Sequence, residues 1–247
     1  SIGKQRDHNE DALFTLTTNL AGEQNHSLVG LYIVADDMGG HKHGEIASNL
    51  AARTISTQIL RKLIVSLLNP IPTTPNDSIQ EMMQGSIQEA HRMIMKHAPG
   101  AGTTVTAILI LDEQATIVHV GDSRAYSVTP EGNMNTLTRD HSLVMRMMEL
   151  GQLTADEAAV HPQRNVLYRA LGQGEPFTPD ITTFPLPKSG FILICSDGLW
   201  SVVPENEIGC IIASAPDPQI ACQLLVNAAN ELGGPDNITA ILINMPG

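Results

Sequence analysis

Long apolar runs, paired cysteines and a basic excess are all missing from this chain of 247 residues. Its densest apolar stretches, such as GFILIC at 190–195, are far too short to cross a bilayer. Lys and Arg number 14 against 26 Asp and Glu, a formal charge of −12. With no concentrated basic patch, that balance argues against a site for the nucleic-acid backbone. Cys195, Cys210 and Cys222 are an odd set of three, without CxxC or Cys/His spacing, which argues against a disulfide framework or a structural zinc site. No leader pattern opens the sequence, no repeat or low-complexity tract interrupts it, and no low-contact linker divides it. The expectation is one soluble cytoplasmic domain over 1–247; the site-like opening residues suggest a piece of a longer chain. Apolar residues at 42% and charged residues at 16% fit a folded protein.

What is present reads as mixed α and β. The run LVGLYIVAD at 28–36 is a buried strand that ends in Asp36, just before Gly39 and Gly40. Helical spacing over 44–68 (Ile46, Leu50, Ala51, Ile55, Ile59, Leu63) and over 78–97 predicts two helices, separated by a proline-rich break at 69–78. Three β-rich runs, 103–111, 115–122 and 123–128, are joined by turns too short for a helical crossover and are expected to pair antiparallel. Residues 139–175 read as an inserted helical flap, with Gly151 closing one helix and Thr154 opening the next. A strand at 191–197, helices at 204–214 and 217–232, and a strand at 237–244 complete the pattern.

Acidic residues recur beside glycines at the ends of these runs, in RDHNEDA (6–12), VADDMGGH (34–41), VGDSRAY (120–126), CSDGLW (195–200) and GGPDNIT (233–239). A single Asp-Gly needs no more than turn chemistry to explain it. Five such segments at strand ends point instead to a shared rim. Carboxylates crowded there would take up protons unless cations neutralised them, and an all-oxygen donor set suits Mg²⁺ or Mn²⁺ better than Zn²⁺.

In order along the chain, RxxNED, DxMGGH, GTT, VGDSRAY, LTxDHS, HPxxNxLxxALG, SDGLW and PDNIT resemble the motif set of the PPM family, the type 2C metal-dependent Ser/Thr protein phosphatases, and specifically its bacterial branch. The resemblance covers nearly the whole chain. It implies an α+β fold, a four-layer αββα sandwich of two antiparallel sheets flanked by helices, with the flap inserted. It also implies roles. Asp36 would bridge two metal ions, Asp197 and Asp236 would complete one shell, and Glu10 with the carbonyl of Asp37 would serve the other through waters. Asp11 would be a ligand or a carboxylate just behind, and Asp122 with Asp197 would hold a third, weaker ion. Arg6 would clamp the substrate phosphate, and His161 in the flap would face the substrate.

The implied chemistry is hydrolysis of phosphoserine and phosphothreonine in proteins, opposing a Ser/Thr kinase. Two Mn²⁺ or Mg²⁺ ions sharing Asp36 lower the pKa of a bridging water, whose hydroxide attacks phosphorus in line. A histidine or a metal-bound water would protonate the leaving oxygen, and His41 is the nearest candidate by sequence. Relatives from eukaryotes carry histidine directly after their Asp-Gly, whereas Met38 stands there in this chain, so that role does not transfer. No CxxxxxR loop supports a cysteine nucleophile. Asp37 departs from the family pattern, which has glycine; should the position demand a positive φ, it would cost about 1 kcal/mol. An extra carboxylate beside the metals could also add a ligand. Two alternatives remain at this level: an impaired relative that only binds phosphoproteins, and a two-metal nuclease, which the acidic balance disfavours.

Overall fold

The computed structural model of the protein describes residues 1–21, 26–38, 44–67, 78–174 and 177–245. Strands β1 (Ala12–Ala21) and β2 (His26–Ala35) lead into helices α1 (Gly44–Leu67) and α2 (Ile79–His97). Next come β3 (Val105–Leu111), β4 (Gln114–Val120), β5 (Arg124–Val128) and β6 (Met134–Thr136). Two short helices, α3 (Leu143–Glu149) and α4 (Ala155–Ala159), precede β7 (Asp180–Pro185) and β8 (Gly190–Cys195). The one-turn helix α5 (Asp197–Trp200), then α6 (Glu205–Ser214), α7 (Pro218–Glu231) and β9 (Ala240–Met245) follow.

The strands form two antiparallel sheets, ordered β1-β2-β3-β4-β7 and β6-β5-β8-β9. Period-two alternation explains the layering, because successive side chains of a strand leave on opposite faces. From β2, Leu31 and Ile33 pack against Ile55 and Ile59 of α1 and Met83 and Ile87 of α2. Tyr32 and Val34, one residue out of phase, pack instead against Ile192, Ile194, Ile241 and Ile243 of the second sheet. On that sheet's far face, Tyr126, Leu193 and Cys195 meet Ile208 and Ile212 of α6 and Leu225 of α7. Helices, sheet, sheet and helices are therefore the four layers. Among the described residues no helix is long and apolar enough to cross a membrane.

Three sequence readings shift. The runs over 103–120 do pair as β3 and β4, but β5 does not pair with β4: it crosses to the second sheet and lies between β6 and β8. Residues 121–123 form a corner, fixed where Thr104 Oγ1 and Ser123 Oγ bond at 2.5 Å and the His141 ring accepts the Gly121 N–H. A short connection can thus change sheets rather than close a hairpin. The strand expected from 237 begins at Ala240, because the groups just before it are used elsewhere: Ile238 N–H bonds Ser1 O and Thr239 N–H bonds Ser196 Oγ. Strand β1, which no periodicity had assigned, covers one edge of the larger sheet. The proline-rich break lies outside the described residues apart from Ser78, the N-cap of α2.

Candidate active site

Strand register brings the acidic segments to one rim. Ala12 lies opposite Ala35, so Glu10 and Asp11, just before β1, flank Asp36, just after β2. In the second sheet Cys195 lies opposite both Arg124 and Ala240, so Asp197, Asp122 and Asp236 emerge at one end. Gly198 permits the last approach: a side chain there would run into the carbonyl of Asn237, next to Asp236. The Asp197 N–H then reaches Asp36 Oδ2 at 3.4 Å across the two sheets.

The electrostatics are those of a site short of positive charge. Burial, then the neighbouring charges of Asp11, Asp197 and Asp122, hold Asp36 well above the usual carboxylate range. Asp122 is likewise pushed well up by burial and by Asp197 and Asp140. Burial, with Asp236 and Asp11 beside it, raises Asp197 to about 7. Burial also raises Asp11, whose Oδ2 accepts a 2.6 Å bond from Thr239 while its buried Oδ1 has no hydrogen-bond partner. An orphaned oxygen beside mutually repelling carboxylates fits a hard divalent cation. Among the described residues no three acid, His or Cys side chains stand so that they could enclose an ion by themselves. Any shell would draw on carbonyl and water oxygens as well.

The predicted residues are not all placed alike. Arg6 Nη2 bonds Asp236 Oδ2 at 2.6 Å, and Asp236 Oδ1 accepts the Asn237 N–H at 2.8 Å. Glu10 is held by its backbone, its N–H on Asn237 Oδ1 (2.7 Å) and its carbonyl on Ser48 Oγ (2.5 Å). Asp37 has no positive φ, since Asp112 alone among the described non-glycine residues does; the conditional strain does not arise. Its carboxylate instead lies against Gly44 at the start of α1. His161 Nδ1 accepts the Gln163 N–H in the turn after α4, and the cleft beside that turn is lined by Arg164 and Asn165 rather than by His161. His41 lies outside the described residues.

Sequence reasoning missed the residues that hold these in place. Asn237 Nδ2 donates to Ile2 O and His8 O while its Oδ1 takes Glu10 N–H, so one amide ties residues 1–11 to the rim. Arg124 makes a forked bond to Asp140 (3.0 and 2.8 Å) and stacks on Trp200 at 3.6 Å, and Trp200 Nε1 donates to the Asp122 carbonyl at 2.9 Å. His141 accepts the Gly121 N–H with Nδ1, while its Nε2 lies 3.1 Å from Asp180 Oδ2. All but Ile2 and Asp180 fall inside the motifs already noted; only partner identities were hidden. Arg6, Asp122, Asp197 and Asp236 line a cleft of about 590 Å³, to which residues of α3 and α4 also contribute.

Known proteins resemble this chain over nearly its whole length. The family model for protein phosphatase 2C matches residues 1–238. The serine/threonine phosphatase Stp of Listeria innocua is 35% identical over 247 residues, covering 98% of this chain and 92% of that protein. The crystal structure of the serine/threonine phosphatase Stp1 from Staphylococcus aureus superposes with a TM-score of 0.81 at 28% identity, covering 100% of this chain and 93% of that one. The catalytic domain of the phosphatase PstP, solved with two manganese ions, gives a TM-score of 0.77 at 26% identity, covering 100% and 96%.

Proposed function

The chain belongs to the protein phosphatase 2C family, and from that premise we propose that its carboxylate rim is the metal centre at which phosphoserine and phosphothreonine are hydrolysed. It is a metal-dependent protein serine/threonine phosphatase of the bacterial type. One observation carries the assignment of the centre: Asp36 is buried among Asp11, Asp122 and Asp197, each raised above its usual range. Cations supply the missing counter-charge.

The proposed ions are Mn²⁺ or Mg²⁺, two at the core and a third, weaker one. When bound, such ions supply a water-derived nucleophile near neutral pH and neutralise the phosphate. Asp36 would be shared between the core ions, Asp197 and Asp236 would hold one of them, and Glu10 with the carbonyl of Asp37 would serve the other through waters. Asp11 would stand behind them, and Asp122 with Asp197 would hold the third ion. Arg6 lines the cleft with one nitrogen on Asp236, leaving further N–H donors for phosphate oxygens. For the proton that the leaving oxygen must gain, His41 is the candidate side chain. The substrates are phosphorylated Ser/Thr proteins; an opposing Ser/Thr kinase and a cytoplasmic setting complete the reading.

Phosphate release from a phosphothreonine peptide tests it. Release should require Mn²⁺ or Mg²⁺, stop on addition of chelator, and fall at least about a thousandfold in Asp36→Ala and Asp236→Ala, with oligonucleotides left uncut. A peptide that binds but releases no phosphate at any metal concentration would refute the reading.

A further inference from the structure

We infer that the part of the cleft lined by α3 and α4 is a subsite for a bulky apolar side chain flanking the phosphoresidue of the substrate. The inference rests on the phosphatase reading and names what the enzyme prefers. Helix α3 is two-faced. Val144, Met145 and Met148, at helical spacing, line the cleft, while on its other side Arg146 pairs with Glu149, which also takes Arg139. In α4, Ala155, Ala158 and Ala159 line the same cleft. Thr154 Oγ1 accepts the Glu157 N–H and the Glu157 carboxylate accepts the Thr154 N–H, so that the short helix is held at its start. Val144 and Ala158 are buried as the floor, whereas Met145 and Met148 are half-buried.

Continuity identifies the occupant. Arg6, Asp122, Asp197 and Asp236 belong to the same cleft. A phosphoresidue seated at the carboxylates therefore carries its neighbours in the substrate chain along α3 and α4. Small alanines leave room there, and unbranched thioethers adapt to side chains of several shapes. Burying a leucine or isoleucine of the substrate removes apolar surface from water on both partners.

The experiment compares two phosphothreonine peptides, one with leucine on each side of the phosphoresidue and one with serine at both positions. With Mn²⁺, the leucine peptide should show a kcat/KM about tenfold higher, carried mainly by KM. The ratio should fall toward one in Met145→Ser/Met148→Ser and persist in Val160→Ser, a residue 79% exposed and outside the cleft lining. Because the ratio is internal to each protein, a general loss of activity does not mimic the result. Equal kcat/KM for both peptides in the unaltered protein overturns the subsite and leaves the phosphatase reading standing. A preference for acidic flanking residues, abolished by Arg164→Ala, would also overturn it. No phosphate release from either peptide or from p-nitrophenyl phosphate overturns both readings.

Discussion

Asp37 stands where the family pattern has glycine, and its carboxylate lies where a β-carbon on Gly44 would have to go. The two positions are therefore coupled. Gly44→Ala should lower stability by about 1–3 kcal/mol through overpacking, and Asp37→Gly in the same chain should restore most of it, a double-mutant cycle read by urea unfolding. Additive effects would mean that the two residues do not share that space. The carboxylate cluster makes a prediction of opposite character. Asp36 and Asp122 stand well above the ordinary value near 3.8, and Asp197 near 7. In chelator, the folded state then holds protons that the unfolded chain has lost. For Asp197 the stability this confers is complete below about pH 3.8 and disappears as pH rises through about 7, and Asp36 and Asp122 act in the same direction. The unfolding free energy from urea titrations in chelator should fall between pH 5 and pH 8, by about 1.4 kcal/mol per pH unit for each retained proton. Saturating Mn²⁺ should remove most of the drop, since the cation replaces the protons; a flat profile in chelator would show that the carboxylates do not crowd one another.

Among elements, the decisive joint is between the segment before β1 and the start of β9. Asn237 spans it with three hydrogen bonds from one side chain. An aspartate of the same shape keeps the acceptor but has no N–H for Ile2 O and His8 O. Asn237→Asp should therefore cost roughly 3 kcal/mol in urea unfolding and raise the half-saturating Mn²⁺ concentration at least about fivefold, as the segment that carries Glu10 is released at Ile2 and His8. Unchanged metal dependence would make the joint structural alone. The corner at 121–123 is a second joint: it sends β5 to the other sheet and leaves Asp122 at the boundary between the two.

At the scale of the whole molecule the charge of −12 becomes a property of function. Excess negative charge attracts divalent cations and repels a phosphate dianion, and both effects reach only about one Debye length. Raising ionic strength from about 0.01 to 0.1 M shortens that length from about 30 to about 10 Å. The half-saturating Mn²⁺ concentration should rise several-fold over that range, with turnover at saturating Mn²⁺ changing little. A constant half-saturation would mean that only the local carboxylates are felt.

By itself, the sequence determined the inner strands and the longer helices, though not the edge strands β1, β6 and β7, and it showed which acidic residues stand at strand ends. Both are local properties, set by side-chain period and by the few residue types that tolerate a strand-to-loop transition. Asp36 after LYIVA and Asp197 after FILIC are legible for that reason. It did not determine that β5 leaves β4 for another sheet, because a three-residue connection is equally short in a hairpin and at a corner. Nor did it reveal that Arg124 lies on Asp140 and Trp200, or that Met145 and Met148 line one cleft with Arg6, Asp197 and Asp236. Those facts join residues distant in the chain, and packing two sheets face to face is what brought them together.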